Sequence, residues 1–131
     1  GARIGYAVAD PKVIAALQLV RLPYHLSTIT QEAARVALRF SAELLSQVDL
    51  IRSERDELAN WLVASGFEIA ASGANFILFG TFSDRNLIWE KLVEQGVLIR
   101  QTGPAGWLRV SIGTPQENSL FKTALLKVTS N

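Results

Sequence analysis

The chain has 131 residues, and 49% of them are hydrophobic, which supplies enough apolar surface for the core of an ordinary globular domain. Thirteen basic and twelve acidic residues leave a formal net charge of +1 and form no basic cluster, so we expect no nucleic-acid partner. No apolar run approaches the roughly 18 to 20 residues that a membrane span requires, and no segment resembles a signal peptide. We therefore expect no membrane partner and a cytoplasmic location.

The composition also restricts the chemistry. The chain has no cysteine and a single histidine, His25. Zinc and iron–sulfur sites need several of these side chains, and a cysteine nucleophile needs the thiol. We therefore predict no metal site, and any reaction must use oxygen or nitrogen groups or a bound cofactor.

A buried strand and a short helix are predicted near the start. Residues 6–9, Tyr-Ala-Val-Ala, form an apolar run typical of a strand covered on both faces, which needs neighbouring strands. Asp10 and Pro11 then supply an N-cap acceptor and a proline at the first helical position. The helix must end before Pro23, because the residue that precedes a proline disfavours the helical conformation.

A much longer helix is predicted for residues 28–65. Thr28 and Gln31 have the spacing of a capping box, no proline or glycine interrupts the segment, and Gly66 is placed to cap its end. A helix of roughly 35 residues extends on the order of 50 Å, which exceeds the diameter of a small globule. We therefore predict that it links two domains, residues 1–65 and residues 66–131.

Residues 66–131 are predicted to form a small α/β domain with a mainly antiparallel sheet. Asp84 can cap one helix, and the capping box of Thr114 and Glu117, with a proline at the first helical position, can start another. The predicted strands are residues 67–70, 75–80, 97–100 and 107–112. One predicted helix covers residues 84–95. The final helix has an apolar stripe formed by Leu120, Phe121, Ala124, Leu125 and Val128. We expect the helices to cover one face of the sheet.

Two arginines in the predicted strands are candidates for anion binding. Strict alternation in residues 107–112 places Arg109 on the face opposite the apolar side chains, and the alternation in residues 97–100 does the same for Arg100. If the two strands pair, the guanidinium groups converge and suit an anion. The residues alone favour a solvated surface role for each arginine.

The motif Gly1-x-Arg3-x-Gly5 resembles the segment that follows the Schiff-base lysine in fold type I pyridoxal-phosphate aminotransferases. Later segments resemble, in order, those of the histidinol-phosphate aminotransferases, and the resemblance extends over nearly the whole chain. These segments are Leu22-Pro23-Tyr24, Ala74-Asn75-Phe76, Val97-Leu98-Ile99-Arg100 and Leu108-Arg109-Val110-Ser111-Ile112-Gly113.

The resemblance implies the C-terminal part of such an enzyme. Residues 1–65 would be the last strand and helix of the large cofactor-binding domain and the long linking helix, and residues 66–131 the small C-terminal domain. It implies that Arg3 contacts the phosphate of pyridoxal 5'-phosphate, whereas the residues alone favour an ion pair for Arg3. It also implies that Arg100 and Arg109 bind the anionic group of the substrate. The Schiff-base lysine would lie upstream of Gly1, so we expect no catalytic residue in this chain and no activity from the chain alone.

The implied reaction transfers an amino group from histidinol phosphate to 2-oxoglutarate and yields imidazole acetol phosphate and glutamate. This reaction belongs to histidine biosynthesis. The resemblance also implies that the enzyme is a homodimer. Aromatic amino-acid aminotransferases and threonine-phosphate decarboxylases resemble the same segments and stay open as alternatives. An alternative of another class is a non-catalytic module that binds a small anion through Arg100 and Arg109 or mediates oligomerisation.

Overall fold

A computed structural model of the protein describes residues 3–130. In this part of the chain the order of elements is α1 (Pro11–Val20), α2 (Thr28–Arg39), α3 (Ser41–Ala64), β1 (Glu68–Ile69), β2 (Phe76–Gly80), α4 (Arg85–Glu94), β3 (Trp107–Ser111) and α5 (Pro115–Thr129). Two compact units are present: one runs to Ser46 and the other begins at Gln47. The predicted α/β class with a small antiparallel sheet is confirmed.

The first unit begins with irregular chain. The prediction of a strand at residues 6–9 is wrong, because residues 3–10 contain neither helix nor strand. A strand needs a neighbouring backbone to bond its N–H and C=O groups, and the first unit contains no other strand in its described part. The predicted start of α1 is confirmed: the Asp10 carboxylate accepts the N–H of Lys12 at 2.8 Å, and Pro11 is the first helical residue.

The predicted long helix is divided in two. The N–H of Phe40 donates to the carbonyl of Ala37, three residues back, and closes α2 before α3 starts at Ser41. The N-cap of α2 is Ser27, one residue before the predicted Thr28, and its hydroxyl accepts the N–H of Thr30. The sequence around Phe40 has no proline or glycine, so the interruption has no local signal.

Apolar side chains of the first unit remain largely exposed. Helices α1 and α2 contain no buried residue, and Val8 and Leu38 are 89% and 72% exposed. Val13 and Leu17, on the predicted apolar face of α1, are each about half exposed. The first unit therefore has apolar surface that its own described residues do not cover.

The second unit contains an antiparallel sheet with strand order β1-β2-β3. Ile69 pairs with Phe79, and Phe79 pairs in turn with Leu108, which fixes the register. Residues 97–100 were predicted to form a strand, but only Arg100 makes a bridge to β3, opposite Arg109. The prediction of a full strand there is wrong because the chain leaves the edge of β3 after a single pair of hydrogen bonds.

The core lies on one face of this sheet. Phe79 is fully buried, and its ring meets those of Phe67, Phe82 and Phe121 with centroids 6.3, 5.7 and 5.5 Å away. The cluster is completed by apolar residues of α3, α4 and α5, chiefly Leu58, Leu62, Leu92, Ala124, Leu125 and Val128. Helices therefore cover this face, and the opposite face carries the candidate site.

The predicted helix ends of the second unit are confirmed. Asp84 caps α4 by accepting the N–H of Leu87 at 3.0 Å, and Thr114 and Glu117 form the capping box of α5. Gly66 has a φ of +86°, a conformation that glycine adopts at little cost after a helix. One residue of the predicted stripe of α5 is wrong: Leu120 is 66% exposed, and Asn118 is buried instead.

No helix within residues 3–130 combines the length and the apolar character needed to cross a membrane.

Candidate anion-binding site

Arg109 lies on the sheet face opposite the core, as predicted. Its neighbours in β3, Leu108 and Val110, are buried, while Arg109 itself is half-buried. Strand alternation therefore places a guanidinium on the face that the helices do not cover. Losing this side chain would leave no cavity in the core.

Arg100 lies directly opposite Arg109. The N–H of Arg100 donates to the carbonyl of Arg109 at 3.0 Å, and the N–H of Arg109 donates to the carbonyl of Arg100 at 2.9 Å. Side chains of directly opposed residues in an antiparallel pair project to the same face, and like charges there destabilise the pair. The structure thus brings together the two predicted arginines, in an arrangement that an anion would stabilise.

Neither arginine is neutralised by the described part of the protein. The ion pairs among residues 3–130 belong to Arg35, Arg52, Arg55 and Lys122. The buried Nε of Arg109 has no hydrogen-bond partner in this range. A buried donor without a partner is costly, and no group within residues 3–130 offsets this cost for the Nε of Arg109.

An open groove of about 560 Å³ adjoins both arginines. It lies beside the edge of β3, where residues 97–99 separate from the strand, and the start of α5 forms one of its walls. The rest of the lining is mainly apolar and includes Val97, Ile99, Val110, Ile112, Leu120 and Phe121. The two arginines therefore lie at the rim of a groove that could admit a small molecule.

A residue that the sequence reasoning missed lies against Arg109. The ring of Phe76, in β2, faces the guanidinium, with the Cζ atom of Arg109 4.7 Å from the ring centroid. The alternation of β2 places Phe76 on the same face as Leu78, away from buried Ile77. This alternation was readable from the sequence, but the contact with Arg109 depends on the register between β2 and β3.

A second missed residue, Asn118, fixes the loop that follows β3. Only 3% of Asn118 is exposed, and its Nδ2 donates to Glu54 at 2.8 Å and to the carbonyl of Gly113 at 3.3 Å. The N–H of Gly113 donates back to Oδ1 of Asn118 at 3.1 Å. Asn118 therefore ties the exit of β3 to α5 and α3.

One acidic residue, Glu117, lines this groove, and it is engaged by the start of α5. Its Oε2 accepts the backbone N–H of Thr114 at 2.7 Å and the Thr114 hydroxyl at 2.9 Å. These hydrogen bonds, the backbone one first, favour the carboxylate and lower the pKa of Glu117 below its ordinary value. This oxygen thus serves the capping box, and within residues 3–130 Glu117 forms no ion pair with either arginine.

Arg3, the predicted cofactor ligand, lies in the first unit. It is exposed and has a φ of +54°, a left-handed conformation that residues other than glycine adopt infrequently. It makes no ion pair with any residue in the range 3–130. An exposed guanidinium can donate hydrogen bonds to a phosphate group, and the role of Arg3 in binding the cofactor stays a prediction. Gly1, the first residue of the motif Gly1-x-Arg3-x-Gly5, lies outside the described residues.

Similarity to known proteins covers almost the whole chain. The family described as aminotransferase class I and II matches residues 1–124. The chain belongs to this aminotransferase family.

Among relatives of this aminotransferase chain, the histidinol-phosphate aminotransferase of Thermobifida fusca is 58% identical over 129 residues, which are 98% of this chain and 35% of that protein. Histidinol-phosphate aminotransferase 3 of Burkholderia lata is 52% identical over 98% of this chain and 35% of its own length. The solved structure of histidinol-phosphate aminotransferase from Sinorhizobium meliloti in complex with pyridoxal-5'-phosphate superposes with a TM-score of 0.76 at 26% identity, over 90% of this chain and 34% of that one. The chain thus spans about a third of the length of these relatives.

Proposed function

We propose that this chain forms the C-terminal part of a histidinol-phosphate aminotransferase. The observation that carries the proposal is the backbone-paired couple Arg100 and Arg109, which present two guanidinium groups on one sheet face with no carboxylate partner in the described range. The identity of more than 50% to two histidinol-phosphate aminotransferases supports this reaction over the related alternatives.

In this proposal the two arginines hold the anionic end of each substrate. Histidinol phosphate has a phosphate group, and glutamate and 2-oxoglutarate have carboxylates, so one cationic site can serve both half-reactions. A guanidinium donates two parallel hydrogen bonds to such groups, which fixes orientation as well as affinity. Arg109, half-buried and partly desolvated, is expected to contribute more than exposed Arg100.

Pyridoxal 5'-phosphate is the proposed cofactor, and Arg3 is the residue of this chain that would bind its phosphate. When bound, the cofactor supplies the electron sink that amino-group transfer requires. The chain's own contribution is positional: Arg3 holds the anionic end of the cofactor, and Arg100 and Arg109 hold the anionic end of the substrate. The lysine that carries the cofactor is assigned to a part of the full-length protein upstream of Gly1.

The arrangement of the full-length protein is also part of the proposal. Residues 1–65 would belong to the large domain and its linking helices, and residues 66–131 would form the small domain. Apolar residues of α1 and α2, such as Leu17 and Leu38, are exposed in this chain. In the full-length protein they would pack against its remaining part or against the second subunit of a homodimer. A cytoplasmic location is proposed with the biosynthetic role.

The test is an assay of the full-length protein with pyridoxal 5'-phosphate, 2-oxoglutarate and a panel of amino donors. Glutamate should form with histidinol phosphate at a kcat/KM well above that with phenylalanine or tyrosine. A preference for the aromatic amino acids, or release of carbon dioxide from threonine phosphate, would replace this proposal with one of its sister activities. Absence of turnover with every donor would favour the non-catalytic module.

A further inference from the structure

The ring of Phe76 lies against the guanidinium of Arg109, with the Cζ atom 4.7 Å from the ring centroid. We propose that Phe76 is a positioning residue that orients Arg109 toward the anionic end of the substrate. The inference rests on the proposed anion-binding role of Arg109 and adds a specific residue that determines how this arginine is presented.

The register of the sheet creates the contact. Leu78 pairs directly with Arg109, and Phe76 pairs with Ser111, so Phe76 is the diagonal neighbour of Arg109 on the same face. Diagonal neighbours are within reach of aromatic and long side chains. Any shift of one residue between β2 and β3 would turn these side chains to opposite faces.

The backbone that carries Phe76 is held at both sides. The hydroxyl of Ser72 donates to the carbonyl of Phe76 at 2.6 Å, and the N–H of Ile112 donates to the carbonyl of Asn75 at 2.9 Å. The start of β2 is therefore tied to the preceding turn and to the end of β3. A ring mounted on this backbone can define the plane of the guanidinium.

A ring suits this task better than an acidic residue. The face of an aromatic ring carries partial negative charge and attracts a cation. It does not accept conventional hydrogen bonds from the N–H groups of that cation. The guanidinium of Arg109 makes no side-chain hydrogen bond to the residues in the range 3–130, and its buried Nε is unpartnered. A carboxylate at the position of Phe76 would accept hydrogen bonds from the guanidinium and compete with the substrate, whereas the ring leaves the accessible N–H groups without a partner.

The proposal predicts a particular kinetic pattern in the full-length enzyme. Phe76→Leu keeps an apolar side chain but removes the π face, so KM for histidinol phosphate and for 2-oxoglutarate should rise about threefold to tenfold, the range that cation–π contacts support. The kcat should change less than twofold, because the contact acts equally on bound substrate and on the transition state. Phe76→Tyr keeps the π face and should restore KM to within about twofold of the parent.

Leu78→Ala is the matched control. Leu78 is also half-buried, is on the same strand and face, and pairs directly with Arg109. Its truncation should lower Tm through lost packing but leave both KM values near those of the parent. If Leu78→Ala raises KM as much as Phe76→Leu, general packing of this face explains the effect and the proposal is overturned.

Arg109→Lys separates this inference from the proposed function. If Arg109→Lys leaves both KM values unchanged, the anion site itself is misassigned. If Arg109→Lys raises KM while Phe76→Leu does not, or while Phe76→Tyr is as impaired as Phe76→Leu, only the role of Phe76 fails.

An NMR measurement gives a readout independent of kinetics and of the folding of Phe76→Leu. In the parent protein with labelled arginine, the side-chain protons of Arg109, assigned by their loss in Arg109→Lys, should resonate upfield because of the ring current of Phe76. The same signals in Phe76→Tyr should stay upfield. Signals of Arg109 at the position of exposed arginines in the parent would overturn the proposal.

Discussion

Replacing Arg109 by lysine tests the proposed anion site most directly. Lysine keeps the positive charge but presents a compact ammonium group in place of a planar fork, so it cannot donate two parallel hydrogen bonds to one phosphate or carboxylate. Arg109 lies opposite the buried face of β3, and its neighbours Leu108 and Val110 carry the packing. Arg109→Lys should therefore change binding while the fold is maintained.

The expected magnitude follows from the loss of one charge-assisted hydrogen bond. Such a bond contributes about 1.5 to 3 kcal/mol, and 1.36 kcal/mol corresponds to a factor of ten in rate, so kcat/KM should fall roughly tenfold or more. The decrease should appear for histidinol phosphate and for 2-oxoglutarate, because both are anionic. Steady-state kinetics of the full-length protein measure it, and the cofactor absorbance and Tm should remain near those of the parent.

Arg52→Lys is a suitable control for the chemistry of the substitution. Arg52 lies on α3, is 64% exposed in its side chain and pairs with Asp49 at 3.1 Å, so the same replacement there should leave kcat/KM unchanged. If Arg109→Lys also leaves kcat/KM unchanged for both substrates, Arg109 is an ordinary surface residue. The interpretation of β3 as the site of anion binding would then be refuted.

Three further predictions concern the chain itself. The isolated 131-residue chain should produce no glutamate above the rate of free cofactor when it is mixed with pyridoxal 5'-phosphate, histidinol phosphate and 2-oxoglutarate; clear turnover would show that the assigned upstream lysine is not needed. The same chain should self-associate in light scattering or bind an apolar dye through Val8, Val13, Leu17 and Leu38, and a monodisperse monomer without dye binding would contradict this. Glu117→Gln should lower Tm at pH 7, and this difference should shrink as pH falls below 4.5 and through the lowered pKa of folded Glu117, because the capping box favours the ionised carboxyl; a difference that does not shrink in acid would be inconsistent with the capping role.

Several features encoded within a few residues were predictable from the sequence, although the N-cap of α2 was placed one residue too late. The capping box of Thr114 and Glu117, the N-cap Asp84 and the alternation around Arg109 each need only neighbouring residues and one local geometry. They were predicted at the correct positions because the backbone groups at a helix end, and the two faces of a strand, make the same demands in any fold.

Features that depend on distant partners were predicted less well. The run at residues 6–9 has the composition of a buried strand, but composition supplies no backbone to pair with it, and the segment is irregular. Residues 97–100 have the correct alternation, yet only Arg100 pairs with β3. In the last helix, Asn118 is buried despite its polarity because Glu54, 64 residues away in the sequence, accepts its amide hydrogen bond.

The contact between Phe76 and Arg109 could not be predicted from the sequence, because it depends on the register between β2 and β3. Alternation assigns Arg109 and Phe76 each to one face of its own strand, but it cannot relate the two faces without the pairing of Phe76 with Ser111. Once this register is known, the approach of the ring to the guanidinium follows from the geometry of diagonal neighbours. The register is in turn fixed by burial, since Ile77 and Val110 pair on the core face and a slip of one residue would turn one of them to the opposite face. The apolar core therefore determines the alignment of the polar face, and a substitution such as Ile77→Asp would disturb the anion site without touching either arginine.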